Sequence, residues 1–310
     1  MTHQVESKVT KPGPALSAPA TIEHGVPGYL ASDEALIHLL NRYPAELFDI
    51  NRYEFDADGQ VSLTTGTRGH ADGATVLEAI KAGKLWVNLR GIEHAHPGLW
   101  GEIQMAFQKF APGIGAAKAR KMTGQLILSS PTTKVPYHFD PAGVVLFHLR
   151  GVKRVWVYPV SDLFVPQQSM EKVIMRETTE ELPYQRIYDG AAYRFDVVPG
   201  EALAWPLYAP HRVENQEGLC VSLSMDYQTW GSRITTGAHR ANGVLRRWGW
   251  QIASMNKTPM FARAALWAAS LAFTRLGYVK NNIKDIAREF DVADAPTTEA
   301  VEANDTRKAA

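Results

Sequence analysis

Between residues 124 and 230 the chain is cut into short apolar runs by turn punctuation, and that rhythm limits the fold more than any other feature. The runs cover 125–129, 135–140, 144–149, 152–158, 192–197, 201–204 and 219–228. Strands of this length, at this spacing, build a β-sandwich or barrel of the jelly-roll kind. The expected protein is therefore mainly β with flanking helices.

The flanks have a different texture. Residues 29–123 predict a helical and strand region packed on the barrel. Within it, Ser32 can cap a helix whose Leu36, Leu39 and Leu40 form one apolar stripe. Further helices are expected at 71–82 and 97–110, and short strands at 61–63 and 84–89, with a turn at Asp56-Ala57-Asp58-Gly59. The polar stretch 159–189, broken by Pro166 and Pro183, reads as an insertion between strands. Residues 231–290 read as a C-terminal helical region. The polar ends, 1–28 and 291–310, are expected to be disordered. No internal repeat points to a solenoid or propeller.

Composition narrows the partners. With 33 basic and 32 acidic residues, nothing draws the chain to nucleic acid. The lone Cys220 excludes an intramolecular disulfide and suits a reducing, cytoplasmic setting. No apolar segment near Met1 suggests a signal peptide. The apolar stretch 261–279 is interrupted by Arg263 and Arg275 and falls short of the ~20 residues a span needs, so no membrane partner is expected.

Chemistry concentrates at Tyr137-His138-Phe139-Asp140. Along a strand, side chains two residues apart share a face, so His138 and Asp140 can close on one cation. On a helix they would diverge. His211 follows 211 − 138 = 73 residues later, behind the Pro199-Gly200 turn. Two imidazoles and one carboxylate leave coordination positions open and suit ferrous iron. The pair His94 and His96 has no acidic companion and reads as a surface loop. Gly113-Ile114-Gly115 does not follow a strand in a βαβ unit, so no phosphate loop is read there.

Arg150-Gly151, between two apolar runs, predicts a two-residue hairpin turn that sets His148 opposite Lys153. In the last strand Cys220, Ser222, Ser224 and Asp226 alternate with apolar residues, giving one small polar face that can line a cavity. Tyr137, Trp205 and Tyr208 flank the ligand segments and either shape the pocket or belong to the core. The apolar helix at 261–278 and its tryptophan neighbours need cover, from the barrel or from a second copy in a homodimer. Arg233, Arg240, Arg246 and Arg247 read as a solvated helix face, with an anionic substrate or partner as the alternative.

Taken in order, Val135-Pro136-Tyr137-His138-Phe139-Asp140-Pro141, Leu149-Arg150-Gly151-Val152-Lys153-Arg154, Pro199-Gly200-Glu201, Ala209-Pro210-His211-Arg212-Val213 and Val221-Ser222-Leu223-Ser224 resemble the bacterial cupin-like branch of the JmjC oxygenases, relatives of the asparaginyl hydroxylases. The resemblance covers roughly residues 30–230. It implies a double-stranded β-helix, the jelly-roll or cupin barrel, and a hydroxylase that uses Fe(II), 2-oxoglutarate and molecular oxygen. It implies that His138, Asp140 and His211 hold the iron. It also implies that Lys153, 153 − 138 = 15 residues after the first ligand, pairs with the distal carboxylate of 2-oxoglutarate. Tyr137, His148, Ser222, Ser224 and Asp226 are the further candidates around that cosubstrate. Where relatives carry Thr, Asn and Gln, this chain has Val135, Val144 and His148. Those departures keep two alternatives in play: a cupin-like metal-binding module without oxygenase activity, and a non-oxidative Zn²⁺ or Mn²⁺ enzyme. Whether the substrate is a small molecule or a protein side chain is not written in any motif.

Overall fold

The computed structural model describes residues 16–26, 28–55, 61–83, 85–250, 254–280, 282 and 288–292. The disorder expected for residues 1–15 and 293–310, and the turn expected at 56–59, lie outside the described residues. The strands run β1 (Ala20–Glu23), β2 (Phe48–Phe55), β3 (Val61–Thr67), β4 (Leu85–Arg90), β5 (Arg120–Ser129), β6 (Lys134–His138), β7 (Gly143–Val157), β8 (Tyr193–Val197), β9 (Glu201–Ala204), β10 (His211–Gln228) and β11 (Arg288–Asp291). The helices are α1 (Asp33–Arg42), α2 (Gly73–Ala82), α3 (Ile92–Ala95), α4 (Pro97–Phe110), α5 (Gln167–Ile174), α6 (Trp230–Arg247) and α7 (Met260–Arg275).

Two long strands form the spine. β7 and β10 pair antiparallel from Gly143–Tyr227 at one end to Val157–His211 at the other. Their neighbours change half-way. Residues 143–150 and 221–228 lie between β9 and β5, whereas 152–157 and 211–217 lie between β8 and β6. Eight strand segments thus make two four-stranded sheets, ordered β9-β7-β10-β5 and β8-β7-β10-β6. This is the double-stranded β-helix of a jelly roll. β1 widens the first sheet beyond β9, and β4, β2, β3 and β11 widen it beyond β5.

Arg150-Gly151 is therefore not a hairpin, and the expected pairing of His148 with Lys153 is corrected. Gly151 adopts φ +80°, open to glycine at little cost. A β carbon there would come within 2.8 Å of the Cys220 sulfur and the Leu219 carbonyl oxygen. Opposite it the β10 register slips between Glu217 and Val221. The paired strands bend together from one sheet to the other without reversing. His148 faces Ser222 and Lys153 faces Asn215.

The flanking helices start where side chains can satisfy their free backbone N–H groups. Ser32 caps α1 by accepting from Ala35 N, and Asp72 caps α2 by accepting from Thr75 N at 2.8 Å. His96, read from sequence as surface loop, caps α4 through Nδ1, which accepts from Leu99 N, with Pro97 in the first turn. The apolar stripes of α1, α2 and α4 bury against the first sheet, whose β7 half is buried on both faces from Gly143 to Leu149. A second cluster joins Tyr137, Phe139 and Tyr158 to α5, which lies inside the 159–189 insertion. Glu171 on α5 is fully buried and held by the Arg246 guanidinium of α6 at 2.7 Å, so the basic stretch is not simply a solvated face. Arg247 pairs with Glu177. Within the stretch 1–28, Ala20–Glu23 forms a strand on β9, and His24 is buried with Nε2 donating to the His148 carbonyl at 3.0 Å.

Candidate metal centre

β6 and β10 pair so that His138 and His211 are direct cross-strand neighbours, their ring centroids 4.1 Å apart. β6 ends at His138, but the extended trace continues past it: His138 bridges Glu181, and Phe139 N donates to the Glu180 carbonyl. Asp140 thus lies two residues beyond His138 on the same side, just off the strand proper. Its Oδ2 is 3.4 Å from His211 Nε2. One donor atom from each of the three residues falls within 4.8 Å of the others, as one small cation requires.

The imidazoles are set in the tautomer that a metal needs. His138 Nδ1 lies 2.8 Å from the Pro136 carbonyl oxygen, and His211 Nδ1 lies 3.1 Å from that of Ala209. A carbonyl can only accept, so both Nδ1 atoms carry the proton and both Nε2 lone pairs are free. Burial, and then the neighbouring His138, hold His211 down to about 4, so it stays neutral and able to ligate. Trp205 packs on the His211 ring at 4.5 Å and restricts its rotation.

The donor set opens onto a cavity of about 330 Å³ between the two sheets. Val135, Val144, Leu146, Trp205 and Val213 make much of its wall apolar, and Ser224 and Lys153 contribute polar groups. Lys153 is only 4 % exposed. Burial lowers its pKa, and among the described residues no carboxylate lies within ion-pair distance of it. An ammonium taken out of water without an anion costs several kcal/mol. An anionic ligand would relieve that cost.

The other sequence candidates divide. Ser224 lines the cavity. Asp226 sits at the end of the same face, opposite Val144, and burial together with Asp140, Glu180 and Glu93 pushes its carboxyl up to about 7. It is not part of the lining. His148 and Ser222 bond each other, Nδ1 to Oγ at 2.9 Å, and His148 Nε2 meets the Gly151 carbonyl oxygen at 2.9 Å. Both His148 nitrogens are thereby occupied within the fold. Tyr137 turns into the aromatic cluster around α5, where its hydroxyl donates to the Phe164 carbonyl, so it is core.

The sequence reading missed Asn88, Gln125, Ser129 and Asn215, which all line the cavity. The alternation Gln125, Ile127, Ser129 along one strand face was a usable signal. Asn88 had none, because β4 reaches the barrel through long-range pairing with β5. Its buried Oδ1 has no hydrogen-bond partner among the described residues.

Fold and site together define a double-stranded β-helix protein with a two-histidine, one-carboxylate donor set at the mouth of its barrel. No protein-family model matches the chain, and no curated protein matches it in sequence. Among solved structures it is similar to the Escherichia coli ribosomal oxygenase YcfD, at 15 % identity over 82 % of this chain and 63 % of that one, with a TM-score of 0.45. Another YcfD structure matches at 14 % over 95 % of this chain and 76 % of that one, TM-score 0.46. The form in complex with cobalt and 2-oxoglutarate matches at 15 % over 85 % and 64 %, TM-score 0.43. The chain spans less than two thirds of the length of the first of these.

Proposed function

We propose that this chain is an Fe(II)- and 2-oxoglutarate-dependent oxygenase, a hydroxylase in its simplest form. The observation that carries the proposal is a buried Lys153 ammonium, unpaired among the described residues, in the same cavity as His138, Asp140 and His211. A dicarboxylate fits that pair of features, with one end at the metal and the other at the ammonium. His138 Nε2, the Asp140 carboxylate and His211 Nε2 would hold the metal. Bound there, ferrous iron would supply oxygen activation, one atom of O₂ entering the substrate C–H bond and the other entering succinate as CO₂ leaves. The Pro136 and Ala209 carbonyls keep both histidine protons on Nδ1. Lys153 anchors and orients the cosubstrate, and the apolar wall keeps water away from the reacting groups.

The test is succinate formation by protein loaded anaerobically with Fe(II) and then given oxygen and 2-oxoglutarate, beside an Asp140→Ala control. Succinate above that control is expected. Its absence, together with no 2-oxoglutarate binding by calorimetry, would reject the oxygenase reading.

One observation favours a second reading. Val135 and Val144 both line the cavity and offer a cosubstrate no hydrogen bonds. A cupin-like metal-binding module without oxygenase activity would bind metal at the same three residues and leave 2-oxoglutarate untouched. Two copies of the chain are further proposed to associate through α6 and α7, because Phe261, Leu271 and Leu276 expose apolar surface.

A further inference from the structure

The segment that delivers His211 has two flanks. Trp205 and His211 line the cavity already described, whereas Leu207 and Tyr208 line a second one of about 210 Å³. Its polar wall includes Asp162 before α5, Gln167 on α5, Thr235 and His239 on α6, Asn256, and Arg263 on α7.

Two groups on its wall lack partners among the described residues, and a third residue holds an unusual backbone conformation. His239 is 4 % exposed, its Nδ1 is wholly buried without a hydrogen-bond partner, and no partner is found for its other nitrogen among the described residues. Its ring packs edge-on against Tyr208, with centroids 5.6 Å apart. Arg263 spends Nε on the Thr258 carbonyl and Nη2 on the Met255 carbonyl, both at 2.8 Å, which leaves Nη1 unspent. No carboxylate pairs with Arg263 among the described residues. Asp162, on the same wall, is exposed and does not pair with Arg263. Finally, Tyr208 adopts φ +66°, a left-handed conformation that a tyrosine holds only when its surroundings impose it.

Arg263 is half-buried, and a guanidinium edge with an unused N–H donates readily to an oxyanion. Here the wall carries one carboxylate, Asp162, and it pairs with neither donor among the described residues. Burial, with Arg263 second, holds His239 down to about 4, so at neutral pH it offers an N–H and no charge. We propose that this second cavity binds a small oxyanion, phosphate or carboxylate, between the Arg263 guanidinium and the His239 ring. The inference does not depend on the oxygenase reading, because it concerns different residues and needs no metal.

The experiment is calorimetric titration of metal-free protein carrying Lys153→Met, which removes the competing ammonium from the barrel cavity. Inorganic phosphate and acetate are titrated separately, so the arms distinguish the two anion types. Saturable binding of one of them is expected, weakened at least tenfold by Arg263→Gln and by His239→Phe. The phenylalanine keeps the ring contact with Tyr208, so it reports on the nitrogen and not on folding. Absence of saturable binding in both arms, or binding that both substitutions leave unchanged, would overturn the proposal.

Discussion

At the scale of the residue, Lys153 separates stability from function. Its ammonium is buried without an ion-pair partner among the described residues, so Lys153→Met removes a desolvation cost while conserving most of the volume. The metal-free protein should be at least as stable as the parent, and stabilised by about 1–3 kcal/mol if the full desolvation term returns. The same substitution should weaken 2-oxoglutarate binding by about 2–5 kcal/mol, the usual loss when one partner of a buried charge pair is removed. Denaturant midpoints and calorimetry on one preparation check both signs. The buried histidines make a pH prediction. Burial, with charged neighbours second, sets His148 at about 3 and His239 at about 4 in the folded chain. Unfolded, each takes up its proton near pH 6.5. Between those values the unfolded state holds more protons, so stability falls as pH drops below about 6.5, by up to about 1.4 kcal/mol per pH unit for each histidine. His239→Phe should remove one histidine's share of that slope between pH 7.5 and 5, as measured by urea unfolding.

At the scale of the element, the bend in β7 and β10 is the joint on which the barrel depends. Any β carbon at 151 meets Cys220 and Leu219 and must sit at positive φ. Gly151→Ala is expected to cost about 1–3 kcal/mol, and Gly151→Val more, because a β-branched residue tolerates that conformation least. The loss is read as a lower denaturant midpoint at unchanged slope. α6 leaves the barrel through a reciprocal cap: Thr229 Oγ1 accepts from Ser232 N at 3.1 Å, and Ser232 Oγ accepts from Thr229 N at 2.9 Å. Thr229→Ala should cost about 1 kcal/mol. The positions of these turns were partly legible in the sequence. Arg150-Gly151 was read as a two-residue hairpin turn between two apolar runs. Its use was not legible, since a hairpin and a bend between sheets need the same residue and differ only in which distant strand lies alongside.

At the scale of the whole molecule, α7 is weakly covered. Of its residues only Ser270 is buried, and Phe261 is 78 % exposed. Apolar surface of this kind is usually met by a partner, so light scattering on the purified protein should give a dimer mass. The double substitution Phe261→Glu and Leu271→Glu should shift that mass to the monomer without changing metal affinity. A monomer at every concentration would mean the face serves another purpose.

What the sequence determined by itself is what depends on neighbours along the chain: the strand rhythm, the helix caps, and the period of two that sets His138 and Asp140 on one side. The 73-residue reach to His211 was inferable as a candidate because its motif is local too. Tertiary structure alone decided that His211 stands directly across from His138, that His148 is spent on Ser222 and Gly151, and that Tyr137 is core. It also placed Asn88 and Asn215 in the cavity and Ala20–Glu23 on the edge of the sheet. Those outcomes follow from register and sheet order, which are set by the packing of strands far apart in sequence and leave no trace in any short window of it.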